Sequence, residues 1–125
     1  MNANPAAVYL KAADIVRSNG HNKGAYFTRP ETGVGIDLAP SECPVCIAGA
    51  VSLAMFGWPV PSGEEGRREE FDATTRRLVE LMDVEGDPLL EPVGRLAAWN
   101  DMPERTVEDV IAALEQAARE AVRAA

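Results

Sequence analysis

The sequence has few of the residues that build metal sites. Its 125 residues include two cysteines and one histidine. A structural zinc site needs four ligands, so a carboxylate would have to complete any set built from these three side chains. The composition therefore predicts no metal site, and nothing in the chain indicates a cofactor.

Long apolar runs and basic segments are lacking as well. No run approaches the roughly 20 residues of a membrane span, and the opening residues MNANP lack the basic and apolar regions of a signal peptide. We therefore expect a cytoplasmic protein with reduced cysteines. Acidic residues outnumber basic ones by 20 to 12, for a net charge of −8. This balance disfavours nucleic acid and anionic membranes as partners, because both attract a basic face.

Apolar periodicity predicts a mainly α protein, a single helical domain over residues 1–125. Caps and breakers divide it into four or five helices. A small β-hairpin near residues 25–38 would lie between the first two, since two short apolar runs there flank a turn. The expected helices cover residues 5–18, 44–56, 63–84, 92–99 and 107–125, with 44–56 at the centre because it carries no charge.

The last helix has the clearest pattern. Thr106 is an N-cap residue, and Asp109 follows three positions later, as a capping box requires. An apolar stripe at helical spacing gives the buried face. It comprises Val107, Val110, Ile111, Leu114, Ala118, Ala121 and Val122.

The residues before this helix, WNDMPERT (99–106, the corner), read as a tight turn. Pro103 cannot continue a helix, and Asn100 and Asp101 can fold their side chains onto nearby backbone. We expect Arg105 to pair with Asp101, and Trp99 to pack the corner against the core. Loops on a rigid scaffold often carry sites, so a polar pocket rim is the alternative. The candidate binding residues are Lys23, Tyr26, Trp99, Asn100, Asp101 and Arg105.

Cys43 and Cys46 form a C-x-x-C motif at the expected start of the apolar helix. Backbone N–H groups and the helix dipole stabilise a thiolate at such a position. The motif fits unreactive thiols, a redox pair or part of a metal site, and no βαβ unit surrounds it as in thioredoxin-like proteins. A thiol enzyme would use Cys43 or Cys46 as nucleophile and His21 as base, with Asn100 or Asp101 orienting the imidazole.

Three stretches together resemble a family of small uncharacterised proteins from actinobacteria and their phages. They are KGAY (23–26), CIAGAV (46–51) and the corner, whose W-N-D-x-P-x-R-T pattern is the most specific. The resemblance covers most of the chain and implies a shared fold and source, with no assigned activity.

Against that family, Cys46 occupies the cysteine position, whereas Cys43 is an addition of this chain. His21 stands where the family more often has an aromatic residue. Both departures argue against the redox and Cys-His hypotheses. The sequence thus predicts a small interaction or ligand-binding module. The alternative is a thiol-dependent enzyme or redox protein using Cys46 or Cys43 with His21 and Asp101.

Overall fold

A computed structural model describes residues 4–28, 39–61, 63–86 and 89–124 of the chain. These residues confirm the mainly α fold, because they form five α-helices and one short 3-10 turn at Pro40–Glu42. None of these helices is long and apolar enough to cross a bilayer. The helices are α1 (Pro5–Asn19), α2 (Ile47–Phe56), α3 (Glu65–Met82), α4 (Pro92–Asn100) and α5 (Val107–Arg123).

The first helix begins and ends close to its predicted bounds. The Asn4 side chain accepts from the Ala6 N–H, Pro5 occupies the first turn, and Gly20 ends the helix at φ 99°. Its apolar face packs against both α2 and α5. The middle of α2 lies at the centre of the core, since every residue from Ile47 to Leu53 is buried.

The second helix begins three residues later than predicted, at Ile47 instead of Pro44. Val45 is drawn into isolated β-bridges with His21 and Phe27, and Cys46 keeps an extended backbone as the N-cap. Within the described ranges, these two bridges are the β-type backbone pairing of the protein. The hairpin expected near 25–38 falls largely outside them, because residues 29–38 are not described.

The third and fourth helices differ from expectation only at their ends. α3 begins at Glu65 after an extended Glu64, which has no side-chain cap bond. α4 continues one residue beyond Trp99, so that Asn100 is its last residue.

The fifth helix confirms the capping box. The Thr106 hydroxyl accepts from the Asp109 N–H at 3.1 Å, and the Asp109 carboxylate accepts from the Thr106 N–H at 3.0 Å. The predicted stripe was wrong at Val122, whose surface is 67% exposed. Ala117, which the stripe did not include, is buried.

Candidate ligand-binding cleft

Residues 20–27, here called the glycine loop, lie across the start of α2. Gly20 and Gly24 take positive φ values of 99° and 87°, which only glycine adopts readily. Backbone hydrogen bonds fix the loop in place: Asn22 N–H donates to Val45 O at 2.9 Å, and Cys46 N–H donates to Tyr26 O at 3.0 Å.

The close approach of this loop requires a glycine on α2. A Cβ atom on Gly49 would overlap with the carbonyl oxygen of Tyr26. Gly49 thus allows the backbone of the glycine loop to lie directly against α2. The start of α2 and the glycine loop therefore lie together, and the end of α4 meets them through Asn100.

Asn100 joins these three elements, although it is completely buried. Its Oδ1 accepts from the Ile47 N–H at 2.9 Å, in the first turn of α2. Its Nδ2 donates to Asn22 O and to Asp101 Oδ1, each at 2.9 Å. A buried amide keeps its place only when its donors and acceptors are satisfied, so Asn100 acts as a polar clamp within the core.

The same amide determines the tautomer of His21. Because the Ile47 N–H donates to Oδ1, the atom facing His21 Nε2 at 2.8 Å is an oxygen. An amide nitrogen there would oppose a backbone donor, so Nε2 carries a proton and donates. Among the described residues, neither cysteine forms a hydrogen bond with His21.

Asp101 follows Asn100 as the C-cap of α4. Its Oδ1 accepts twice, from the Gly24 N–H at 3.0 Å and from Asn100 Nδ2 at 2.9 Å. Two donors from two different elements thus hold this exposed carboxylate. A negative charge is unfavourable at the carbonyl end of a helix, so Asp101 does not stabilise α4 through the helix dipole.

The expected pair between Asp101 and Arg105 is not formed. The Arg105 guanidinium lies over the Trp99 ring, 3.9 Å from its centroid, and its Nε donates to Trp99 O at 3.0 Å. Lys23 donates from Nζ to Met102 O at 2.7 Å and to Pro103 O at 3.1 Å. The prediction was wrong because each charged group has other partners. Lys23 and Arg105 bond to backbone carbonyls, and Arg105 also lies on an aromatic ring. The Asp101 carboxylate accepts from N–H groups.

A cleft of about 330 Å³ opens between the glycine loop, the start of α2 and one face of α4. Of the predicted site residues, Tyr26, Cys46 and Asp101 line it, while Asn100 lies buried and bonded to Asp101. Lys23, Trp99, Arg105, His21 and Cys43 are not in the lining. The lining residues are Gly24, Ala25, Tyr26, Cys46, Ala48, Val93, Gly94, Ala97 and Asp101.

Sequence reasoning missed the small and aliphatic residues of the lining. On α4 they are Val93, Gly94 and Ala97, which share a face with Asp101 because they precede it by eight, seven and four positions. That spacing was visible in the sequence. The spacing alone could not indicate a cleft, because small residues on a helix more often indicate close packing. The cleft becomes evident only from the position of α2 opposite this face of α4.

The two cysteines are free thiols in poor positions for nucleophilic chemistry. Cys43 is completely buried, and its Sγ donates to Ala39 O at 3.4 Å. Burial raises the pKa of the Cys46 thiol, against the lowering effect of the Gly49 N–H bond, and the nearby Asp101 charge raises it further. A thiol with a raised pKa carries little thiolate at neutral pH, and thiolate is the reactive form.

Metal binding has no support from side-chain clustering. Over the described ranges, no group of three or more His, Cys, Asp or Glu side chains is placed to hold an ion.

A larger depression of about 650 Å³ lies where the start of α1 faces α3, with Glu69, Glu70 and Thr74 in its wall. Thr74 in this wall is already hydrogen-bonded: its carbonyl oxygen accepts from the buried Tyr9 O–H at 2.8 Å, and its Oγ1 donates to Glu70 O. No polar side chain is held there by two partners as Asp101 is, so the smaller cleft is the better candidate site.

Comparison with protein families identifies the chain. The model of the Family of unknown function (DUF6197) matches residues 1–120, so the protein belongs to that family. Neither the comparison with curated proteins nor the comparison with solved structures gives a match. The family description assigns no activity, so the chemistry of the cleft has to carry any functional argument.

Proposed function

We propose that this protein binds a small organic molecule in the cleft between α2, α4 and the glycine loop. The observation that carries the proposal is a cavity of about 330 Å³ with mostly small apolar walls and one carboxylate held by two donors. Ligand sites typically combine an apolar lining of this size, about 300–1,000 Å³, with a few placed polar groups.

The polar network supports this function by fixing the walls of the cleft. Asn100 joins α4 to the first turn of α2 and to the glycine loop, so all three walls share one buried residue. A site whose walls are already in place loses little conformational entropy on binding. The thiol-dependent enzyme has less support, because the raised pKa of Cys46 disfavours its nucleophilic form.

The setting that we propose follows from the sequence. The protein is one helical domain, located in the cytoplasm of an actinobacterium or encoded by one of its phages, and it does not bind nucleic acid. The family resemblance supports the origin, and the net charge of −8 supports the exclusion of nucleic acid.

Ligand-observed NMR with a library of small fragments tests the function when two leucine variants are compared. Ala97 lines the cleft, whereas its neighbour Ala98 is exposed on the same helix. Leucine is a good helix former, so both variants should fold with similar stability. Ala97→Leu should fill the cleft and weaken fragment binding by about tenfold or more, whereas Ala98→Leu should bind as the wild type does.

Two results would contradict the proposal. One is that no fragment binds the wild-type protein. The other is that fragments bind all three proteins with equal affinity, since their site would then lie outside the cleft. Thermal unfolding of both variants serves as the control for folding.

A further inference from the structure

We propose that the ligand of this cleft is a small organic cation, a primary amine on a compact apolar body, and that Asp101 binds its ammonium group. This inference rests on the proposed function and adds the chemical class of the ligand. It follows from the charge of the lining, from the position of the Asp101 carboxylate, and from the binding of the Lys23 ammonium group at the same corner.

The lining carries a single charge at neutral pH. Burial raises the pKa of both the Tyr26 hydroxyl and the Cys46 thiol, so both groups are neutral. Asp101 is therefore the one charged side chain among the nine residues of the wall, none of which is Lys, Arg or His. A site with one negative charge repels an anion and gains from a cation.

The carboxylate of Asp101 also has acceptor capacity left. Gly24 N–H and Asn100 Nδ2 both donate to Oδ1. No described residue donates to Oδ2, and a carboxylate accepts about four hydrogen bonds in all. The two fixed bonds orient the group, and the second oxygen stays available to a donor in the cleft.

The surrounding backbone favours a positive charge as well. The C-terminal end of α4, which Asp101 caps, carries the negative end of the helix dipole. One ammonium group is already bound at this corner, because Lys23 Nζ contacts the carbonyl oxygens of Met102 and Pro103. The Lys23 side chain does not line the cleft, so it does not occupy the space beside Asp101, which is open to the ammonium group of a ligand.

The rest of the lining determines the body of the ligand. Ala25, Ala48, Val93 and Ala97 offer methyl groups, and Gly94 leaves room beside them. A volume of about 330 Å³ accommodates a small ring or a short branched chain. Benzylamine combines such a body with one primary ammonium group, and benzyl alcohol is its neutral counterpart of nearly equal shape.

The test measures the affinity of both probes by NMR titration, at low and at moderate salt, for three proteins. They are the wild type, Asp101→Asn and Glu104→Gln. Asn at 101 keeps an acceptor for Gly24 N–H and Asn100 Nδ2 but removes the charge. Glu104 is an exposed carboxylate of the same corner outside the lining, so its variant controls for a general loss of negative charge.

We expect the wild type to bind benzylamine about tenfold or more tightly than benzyl alcohol, the factor of a charge-assisted hydrogen bond. Asp101→Asn should remove this preference, whereas Glu104→Gln should retain it. Equal binding of both probes to the wild type, or tighter binding of the alcohol, would overturn the cation but leave the proposed function intact. Failure of both probes to bind would count against the cleft itself. The wild-type comparison stands even if Asp101→Asn does not fold.

Discussion

Where α1 packs against α5, the helices meet through apolar side chains at helical spacing. The apolar residues there that are completely buried include Ala12, Val16, Val110 and Leu114. Where α2 faces α4, small residues leave a cleft, and Asn100 spans the contact with hydrogen bonds. Apolar burial has no preferred direction, whereas hydrogen bonds fix distances and angles. The first interface therefore supplies stability, and the second holds the shape of the cleft.

The largest effect should come from the apolar interface. Leu114→Ala removes a completely buried side chain from α5 and leaves a cavity, which should lower the free energy of unfolding by about 2–5 kcal/mol. Val122→Ala, on the exposed side of the same helix, should change it by less than about 0.5 kcal/mol. Urea unfolding measures both. A loss below about 1 kcal/mol for Leu114→Ala would mean that this interface contributes less than its burial indicates.

The clamp should rank second. Asn100→Ala leaves the Ile47 N–H and the Asn22 carbonyl without their side-chain partner, and each buried unsatisfied group costs about 1–3 kcal/mol. We expect a loss of about 2–3 kcal/mol in urea unfolding. Asn19→Ala is the matched control: that side chain also bonds backbone groups, the carbonyls of Ser41 and Cys43, but it is half-buried, so about 1 kcal/mol should be lost. Equal losses for the two variants would refute the special role of Asn100.

Two helical glycines near the cleft should respond in opposite directions. Gly49→Ala places a methyl group against the Tyr26 carbonyl and should destabilise the protein by about 1–3 kcal/mol. Gly94→Ala meets only the Leu90 side chain, at an ordinary distance of 3.7 Å, so it should stabilise α4 by up to about 1 kcal/mol. Thermal unfolding of both variants provides the measurement. Destabilisation by Gly94→Ala would show that α4 lies closer to its neighbours than described.

The smallest effect is a dependence on alkaline pH. The pKa of Cys46 is raised by burial in the folded state. Folding therefore favours the protonated thiol, and that contribution is complete below the ordinary thiol pKa of 9.0 and lost as pH rises through the higher folded value. Tyr9 and Tyr26, whose pKa values are also raised, add to the same loss at higher pH.

Cys46→Ser isolates the thiol. Serine is a good N-cap and can accept the Gly49 N–H, so the start of α2 should be retained. Unfolding free energies measured from pH 7 to pH 10.5 should fall less steeply for this variant than for the wild type. Identical slopes would show that Cys46 is not buried from solvent as described.

The same contrast explains how much the sequence could predict. The helix α5, with its Thr106 cap and apolar stripe, was predictable because local chemistry determines it. The partners of Asp101 were not, because its contact with the glycine loop joins chain segments about 77 residues apart. The corner was recognised as a candidate site, yet its cleft depends on where α2 begins. Because Val45 pairs with His21 and Phe27, α2 begins at Ile47 and not at Pro44.

The most direct test of the cleft as the binding site is a ¹H–¹⁵N correlation spectrum of the wild-type protein titrated with benzylamine. The cleft should report binding through the backbone amides of Gly24, Ala25, Gly94 and Asp101. The amides of Val110, Leu114 and Ala117 on the α1–α5 side should keep their positions. Saturable shifts confined to the first group are the predicted result. Shifts centred on the second group, or none at any concentration, would contradict the account.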